Sequence, residues 1–255
     1  MPAVLIAAAV CPHPPLLIPE ATGAPGATGA PGATGAPGVG DAPGAGDAEL
    51  QQLRTACHQA VSALLAERPD LIAVVGGSGH TAGYPPGAPG SLHDFGIPFT
   101  TGGDHGPPFL PLSLTIGKWL LSRPAAPRAA WWGIASDAAP AECLRLGGKL
   151  AALAPRVALL AMGDGPARRA RAAPGAADPE ADRYDERVAG ALAAADPAAL
   201  AALDPGEDRP LEIAGRAAWQ VLAGAAGQGA FDAELGYRGV PFEVSYVVAS
   251  WRRAD

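Results

Sequence analysis

Three short, unbroken apolar runs, each ended by a turn rich in Pro, Gly or His, constrain this chain more than any other feature. Ala3–Val10 runs into Cys11-Pro12-His13-Pro14-Pro15, Leu71–Val75 closes in Gly76-Gly77-Ser78-Gly79-His80, and Val157–Met162 closes in Gly163-Asp164-Gly165. A strand with one wet face alternates apolar and polar residues. A run without alternation must be covered on both faces. Between the first two runs, Asp47–Glu67 sets Leu50, Leu53, Cys57, Val61, Leu64 and Leu65 at helical spacing on one face. Further helices are expected over Leu110–Leu121, Ala141–Leu153, Asp182–Ala195 and Leu211–Ala226, and further strands over Ala129–Ala135 and Phe242–Trp251. No linker splits the series. The pattern predicts one α/β domain over 1–255, a central, mostly parallel β-sheet flanked by helices on both faces.

One tract breaks this rhythm. Gly recurs at 23, 26, 29, 32, 35 and 38 in alternating GAP and GAT triplets. The period is collagen-like, but the tract is too short for a stable triple helix, and its composition cannot bury enough apolar area to offset chain entropy. Residues 21–46 therefore read as a low-complexity Gly/Ala/Pro loop insertion. Without it, His13 and His80 are a natural strand–helix–strand apart.

Charge and motifs exclude several functions. A net charge of −7 and a pI near 5.2 argue against a nucleic-acid groove or an anionic membrane surface. No apolar run approaches the ~20 residues of a membrane helix. Cys11, Cys57 and Cys143 lie far apart with no C-x-x-C, which argues against a cysteine zinc site and a disulfide framework. No G-x-G-x-x-G, P-loop or G-x-S-x-G is present. No basic stretch precedes the apolar start, and Cys11 follows Val10 rather than a small residue, so a cytoplasmic location is expected.

In open α/β sheets, ligands bind beyond the carboxyl ends of the strands. His13 and His80 follow two expected strands, and Glu243 sits among Phe242, Val244 and Tyr246 in a third. Two His and one carboxylate are the facial ligand set of non-haem Fe(II) oxygenases, and the same set holds Zn(II) in hydrolases. Each residue also has a structural reading. Either His can be a turn or solvent residue, and Glu243 can lie on a wet strand face. A buried Glu243 would need a partner or a metal.

The order of these motifs resembles the class III extradiol ring-cleavage dioxygenases of the LigB type. The resemblance rests on Cys-Pro-His-Pro-Pro after the first strand, Pro-Asp-Leu-Ile-Ala-Val-Val ending in Ser-Gly-His, Met-Gly-Asp-Gly after a later strand, and a late Glu in an apolar strand. It spans nearly the whole chain apart from 21–46. It implies Fe(II) held by His13, His80 and Glu243, a small-molecule catecholic substrate chelated through its two oxygens, O₂ in the remaining position, and assembly into an oligomer. The family's catalytic His lies in Gly-Asp-x-Ser-His. Here the stretch reads Gly163-Asp164-Gly165-Pro166-Ala167, with Ala167 in place of that His. His105 is the expected replacement base. Arg168 and Arg169, with Arg171 beside them, suit recognition of an acidic aromatic substrate. Two other readings stand beside the dioxygenase. One is a catalytically degenerate member acting as a ligand-binding or interaction protein. The other is a metal-dependent hydrolase on the same residues.

Deletion of residues 21–46 is expected to leave the fold intact, because loop length costs entropy only logarithmically. A large fall in the thermal midpoint would contradict the loop assignment.

Overall fold

The apolar runs become the middle of a seven-stranded sheet in a computed structural model that describes residues 4–23, 45–102, 106–107, 109–122, 127–167 and 178–254. The strands are β1 (Val4–Cys11), β2 (Leu71–Ser78), β3 (Ala82–Tyr84), β4 (Gly90–Ser91), β5 (Thr100–Thr101), β6 (Ala129–Ala135), β7 (Arg156–Met162), β8 (Phe231–Gly239) and β9 (Tyr246–Arg253). The helices are α1 (Ala45–Ala66), α2 (Leu112–Leu121), α3 (Pro140–Ala151), α4 (Pro179–Ala193), α5 (Pro197–Ala201), α6 (Asp208–Leu211) and α7 (Arg216–Ala226). The main sheet runs β3-β6-β2-β7-β1-β9-β8, and β4 and β5 form a separate hairpin. β6, β2, β7 and β1 are mutually parallel, and β3, β9 and β8 close the edges antiparallel. The expected α/β architecture is therefore present, with helices on both faces.

Alternate side chains of the same strands enter two cores. Val10, Val75, Leu159 and Ala161 pack with Leu146, Leu192, Trp219 and Leu222 on the face covered by α3, α4 and α7. Ala9, Val74, Leu160 and Met162 pack with Leu53, Val61, Leu114 and Leu120 under α1 and α2. Fully burying one such side chain contributes about 1.5–3 kcal/mol. No strand in this middle set can carry a polar residue cheaply, so polar chemistry is driven to the strand ends. Among the described residues no helix is long and apolar enough to cross a membrane.

Three expectations are corrected. The last strand begins at Tyr246, not Phe242. Pro241–Glu243 forms a 3₁₀ turn instead, with Phe242 and Glu243 at φ of 57° and 61°. β8 was not anticipated, because it is a half-exposed edge strand whose register shifts between Leu235 and Tyr237. The Gly/Ala/Pro tract is shorter than 21–46 at both ends. Ala21 is fully buried in the 3₁₀ turn Pro19–Gly23, and Gly46 lies in the first turn of α1, where a Cβ would touch the Phe242 ring. The 21–46 deletion is therefore expected to lower the thermal midpoint, because it removes folded residues on both sides.

A buried guanidinium ties together the face covered by α3, α4 and α7. Arg216, 1% exposed, donates through Nε to Asp208 Oδ2 at 2.5 Å, through Nη1 to Ala138 O at 2.9 Å and Gln220 Oε1 at 2.8 Å, and through Nη2 to Ser136 O at 2.8 Å. Arg216→Met is expected to cost about 3–5 kcal/mol in urea unfolding, since it strands a partly buried carboxylate and two carbonyls. A loss below ~1 kcal/mol would refute this role.

Candidate functional site

The parallel strands β1, β2, β6 and β7 end at one edge of the sheet, where a cleft of about 450 Å³ opens. His13 from the β1 loop, Gly77, Ser78 and Gly79 from β2 and its turn, Ser136 and Asp137 after β6, and Ala214 before α7 line it. His13 sits between Pro12 and Pro14, whose rings restrict the backbone around it, and is 7% exposed. Its N–H donates to Asp164 Oδ1 at 2.7 Å, and its ring Nδ1 lies 3.4 Å from the same oxygen. Nδ1 is buried and has no hydrogen-bond partner, so the ring faces the carboxylate at ion-pair range without closing the bond.

Asp164 reaches this position because β7 pairs directly with β1. Gly163 N–H donates to Cys11 O at 3.0 Å, which aligns the two strand ends. Ala214 N–H then donates to Asp164 O, and Gly165 N–H to Ser245 O. Burial pushes the Asp164 carboxyl above the usual carboxylate range. Attraction to His13 and the bond from its N–H oppose that shift without cancelling it.

Two buried arginines fix the loops on either side. Arg54 of α1 donates through Nε to Leu17 O at 2.9 Å and through Nη2 to Leu16 O at 2.6 Å, holding the turn after His13. Arg216 holds Ser136 O and Ala138 O on the opposite wall. Ser113 Oγ donates to Gly77 O at 2.8 Å, and the Ser78 and Tyr84 hydroxyls lie 3.3 Å apart. A side chain at Gly76 would collide with Ser113, so the close approach of α2 requires glycine there.

Of the expected ligand set, only His13 lines this cleft. His80 is exposed and does not line it. After Ser78 the chain turns toward β3 and β6, where Thr81 Oγ1 donates to Glu142 Oε1 at 2.7 Å and accepts from Ala135 N–H at 3.2 Å. Thr81 is thereby tied to β6 and α3, while β1 lies two strand spacings from β2, roughly 10 Å. Glu243 lies on the other side of β1, in the 3₁₀ turn before β9, partly exposed. Among the described residues no group of three or more His, Cys, Asp or Glu side chains is arranged to hold a metal ion, so the structure does not bring His13, His80 and Glu243 together as a metal centre. His105, Arg168, Arg169 and Arg171 lie outside the described residues. Ala167, the residue expected from the resemblance to replace a catalytic His, donates its N–H to Leu211 O.

Asp164, Arg54 and Arg216 were not among the expected site residues. Asp164 was legible in part, as an acid directly after an apolar strand. The arginines carried no signal, since nothing local distinguishes a buried guanidinium from a surface one.

An aspartate whose folded value is raised contributes stability below its unfolded value and loses it as pH rises through the folded value. Asp164→Asn is therefore expected to remove a component of stability that declines with rising pH, above the ordinary carboxylate range. Denaturant unfolding across acid to neutral pH checks this. Parallel wild-type and variant curves would count against a strained, buried Asp164.

Neither a family model nor a curated protein sequence matches this chain. One similar solved structure is the crystal structure of the uncharacterized protein JW3007 from Escherichia coli K12. It is 18% identical, the match covers 96% of this chain and 99% of that one, and the TM-score is 0.48.

Proposed function

We propose that this chain binds a small hydroxylated aromatic ligand, of the catechol class, in the cleft at the carboxyl edge of its sheet, with His13, backed by Asp164, accepting a hydroxyl proton. The observation that carries this reading is the buried imidazole on the wall of the cleft, facing the largely buried carboxylate of Asp164. A carboxylate on one ring nitrogen orients an imidazole and stabilises the cation formed when the other nitrogen takes a proton. Groups of this kind contribute ~10²–10⁴ in rate where proton transfer limits a reaction. The volume lies within the usual range for small-molecule sites, and Ser78 and Ser136 supply hydroxyls that both donate and accept. The catechol class comes from the resemblance to the extradiol dioxygenases.

The resemblance also implies Fe(II). His80 does not line the cleft and Glu243 occupies a separate turn, so among the described residues these side chains do not fit an iron centre. Ligand binding with proton transfer is what the chain's own residues support, and this is the metal-independent form of the degenerate-family reading.

Anaerobic calorimetry with catechol in buffers of different ionisation enthalpy tests the proposal. Wild type is expected to bind with a proton transfer that His13→Ala abolishes and Asp164→Asn weakens about tenfold. His80→Ala and Glu243→Ala are expected to bind like wild type. Equal binding by His13→Ala would overturn the proposal. So would one Fe(II) per chain that is lost in His13→Ala, His80→Ala and Glu243→Ala alike, which would favour the oxygenase.

A further inference from the structure

The cleft carries a charge that proton transfer at His13 does not use. Asp137 lines it from the turn between β6 and α3 and is exposed, so its carboxylate stands at the rim while His13 stands deep in the wall. No hydrogen bond or ion pair engages the Asp137 side chain among the described residues, unlike Asp208, Glu207 and Asp232, each of which has an arginine. The described residues lining the cleft include no Lys or Arg. A buried cation close by is Arg216, which bonds the carbonyl of Ser136 next door. Its guanidinium is already committed to Asp208, Gln220 and two carbonyls and is fully buried. Asp164 adds a second carboxyl directly behind His13.

The formal charge that the described residues offer a ligand is therefore negative. Among the described residues lining the cleft, a bound carboxylate or phosphate would face Asp137 without a counter-ion, and like charges at this range repel. A protonated amine would complete an ion pair at the rim and leave the hydroxylated ring to reach His13. We infer that Asp137 is a specificity-determining residue, and that the cleft takes a hydroxylated aromatic ligand bearing a cationic amine rather than an acidic one. The inference rests on the proposed catechol-class reading. It reverses the expectation that Arg168 and Arg169 recruit an acidic substrate.

Anaerobic titrations with three probes separate the two claims. The probes are catechols with an aminomethyl, a hydroxymethyl or a carboxylate group para to one hydroxyl, matched in size and differing in charge. Each is titrated against wild type, Asp137→Asn and His13→Ala at low and at high salt. The neutral probe is expected to bind wild type and Asp137→Asn equally and to fail with His13→Ala. The aminomethyl probe is expected to bind wild type about three- to fivefold more tightly than the neutral one, the range of an exposed ion pair. That gain should vanish in Asp137→Asn and shrink at high salt. The carboxylate probe is expected to bind wild type most weakly and to improve in Asp137→Asn. If the neutral probe binds through His13 while all three charges bind alike, the charge selection is wrong and the cleft assignment survives. Tighter binding of the carboxylate probe also overturns the selection and returns the role to the arginines. If the neutral probe does not bind, the cleft assignment fails and takes the inference with it.

Discussion

Four parallel strands buried on both faces set the terms for everything else in this protein. β1, β7, β2 and β6 present apolar side chains upward and downward, so every connection between them must cross a face and cover it. That requirement builds the two helical layers. It also removes polar groups from the interior of the sheet and leaves the strand ends as the place where His, Ser and Asp side chains come together without an unpaired burial cost. The cleft is the consequence, since four strand ends and the approach to α7 converge on one edge.

Position at an edge is not by itself geometry. Loops leaving parallel strands would wander without local constraint, and two buried arginines supply it. Arg54 closes on the carbonyls that follow His13, and Arg216 on those that flank Asp137. In each case the guanidinium satisfies main-chain acceptors that cannot reach water, which offsets part of the cost of burying the charge. The two walls of the cleft are thereby held from opposite faces of the sheet, by α1 on one side and α7 on the other. Asp164, pushed toward its neutral form by burial yet held beside His13, places a perturbed carboxyl behind the cleft wall.

The fold was legible because apolar runs and helical spacing are local signals that report burial directly. β2, β6 and β7 follow from the sequence with their boundaries nearly intact. β8 was not legible, because an edge strand with one wet side, a glycine and a shifted register has neither a run nor a clean alternation. The turn at Pro241–Glu243 was missed for a related reason. Apolar neighbours made Glu243 read as a strand residue, whereas Pro241 and two left-handed residues end the extended path before Tyr246.

The sequence alone determined the alternation of buried strands and covering helices, and with it the edge where chemistry must gather. It also determined that His13 emerges at that edge, because the apolar run and the prolines that bracket it are contiguous in the chain. Only the tertiary structure decided which residues meet there. Asp164 joins His13 from 151 residues away because β7 pairs with β1. His80 is exposed outside the cleft, next to Thr81, which is anchored on β6 and α3, and Glu243 stays apart in a turn packed against α1. Burial is written in local composition. The direction a loop takes after its strand ends is set by contacts with residues far away in sequence, and local composition does not record them.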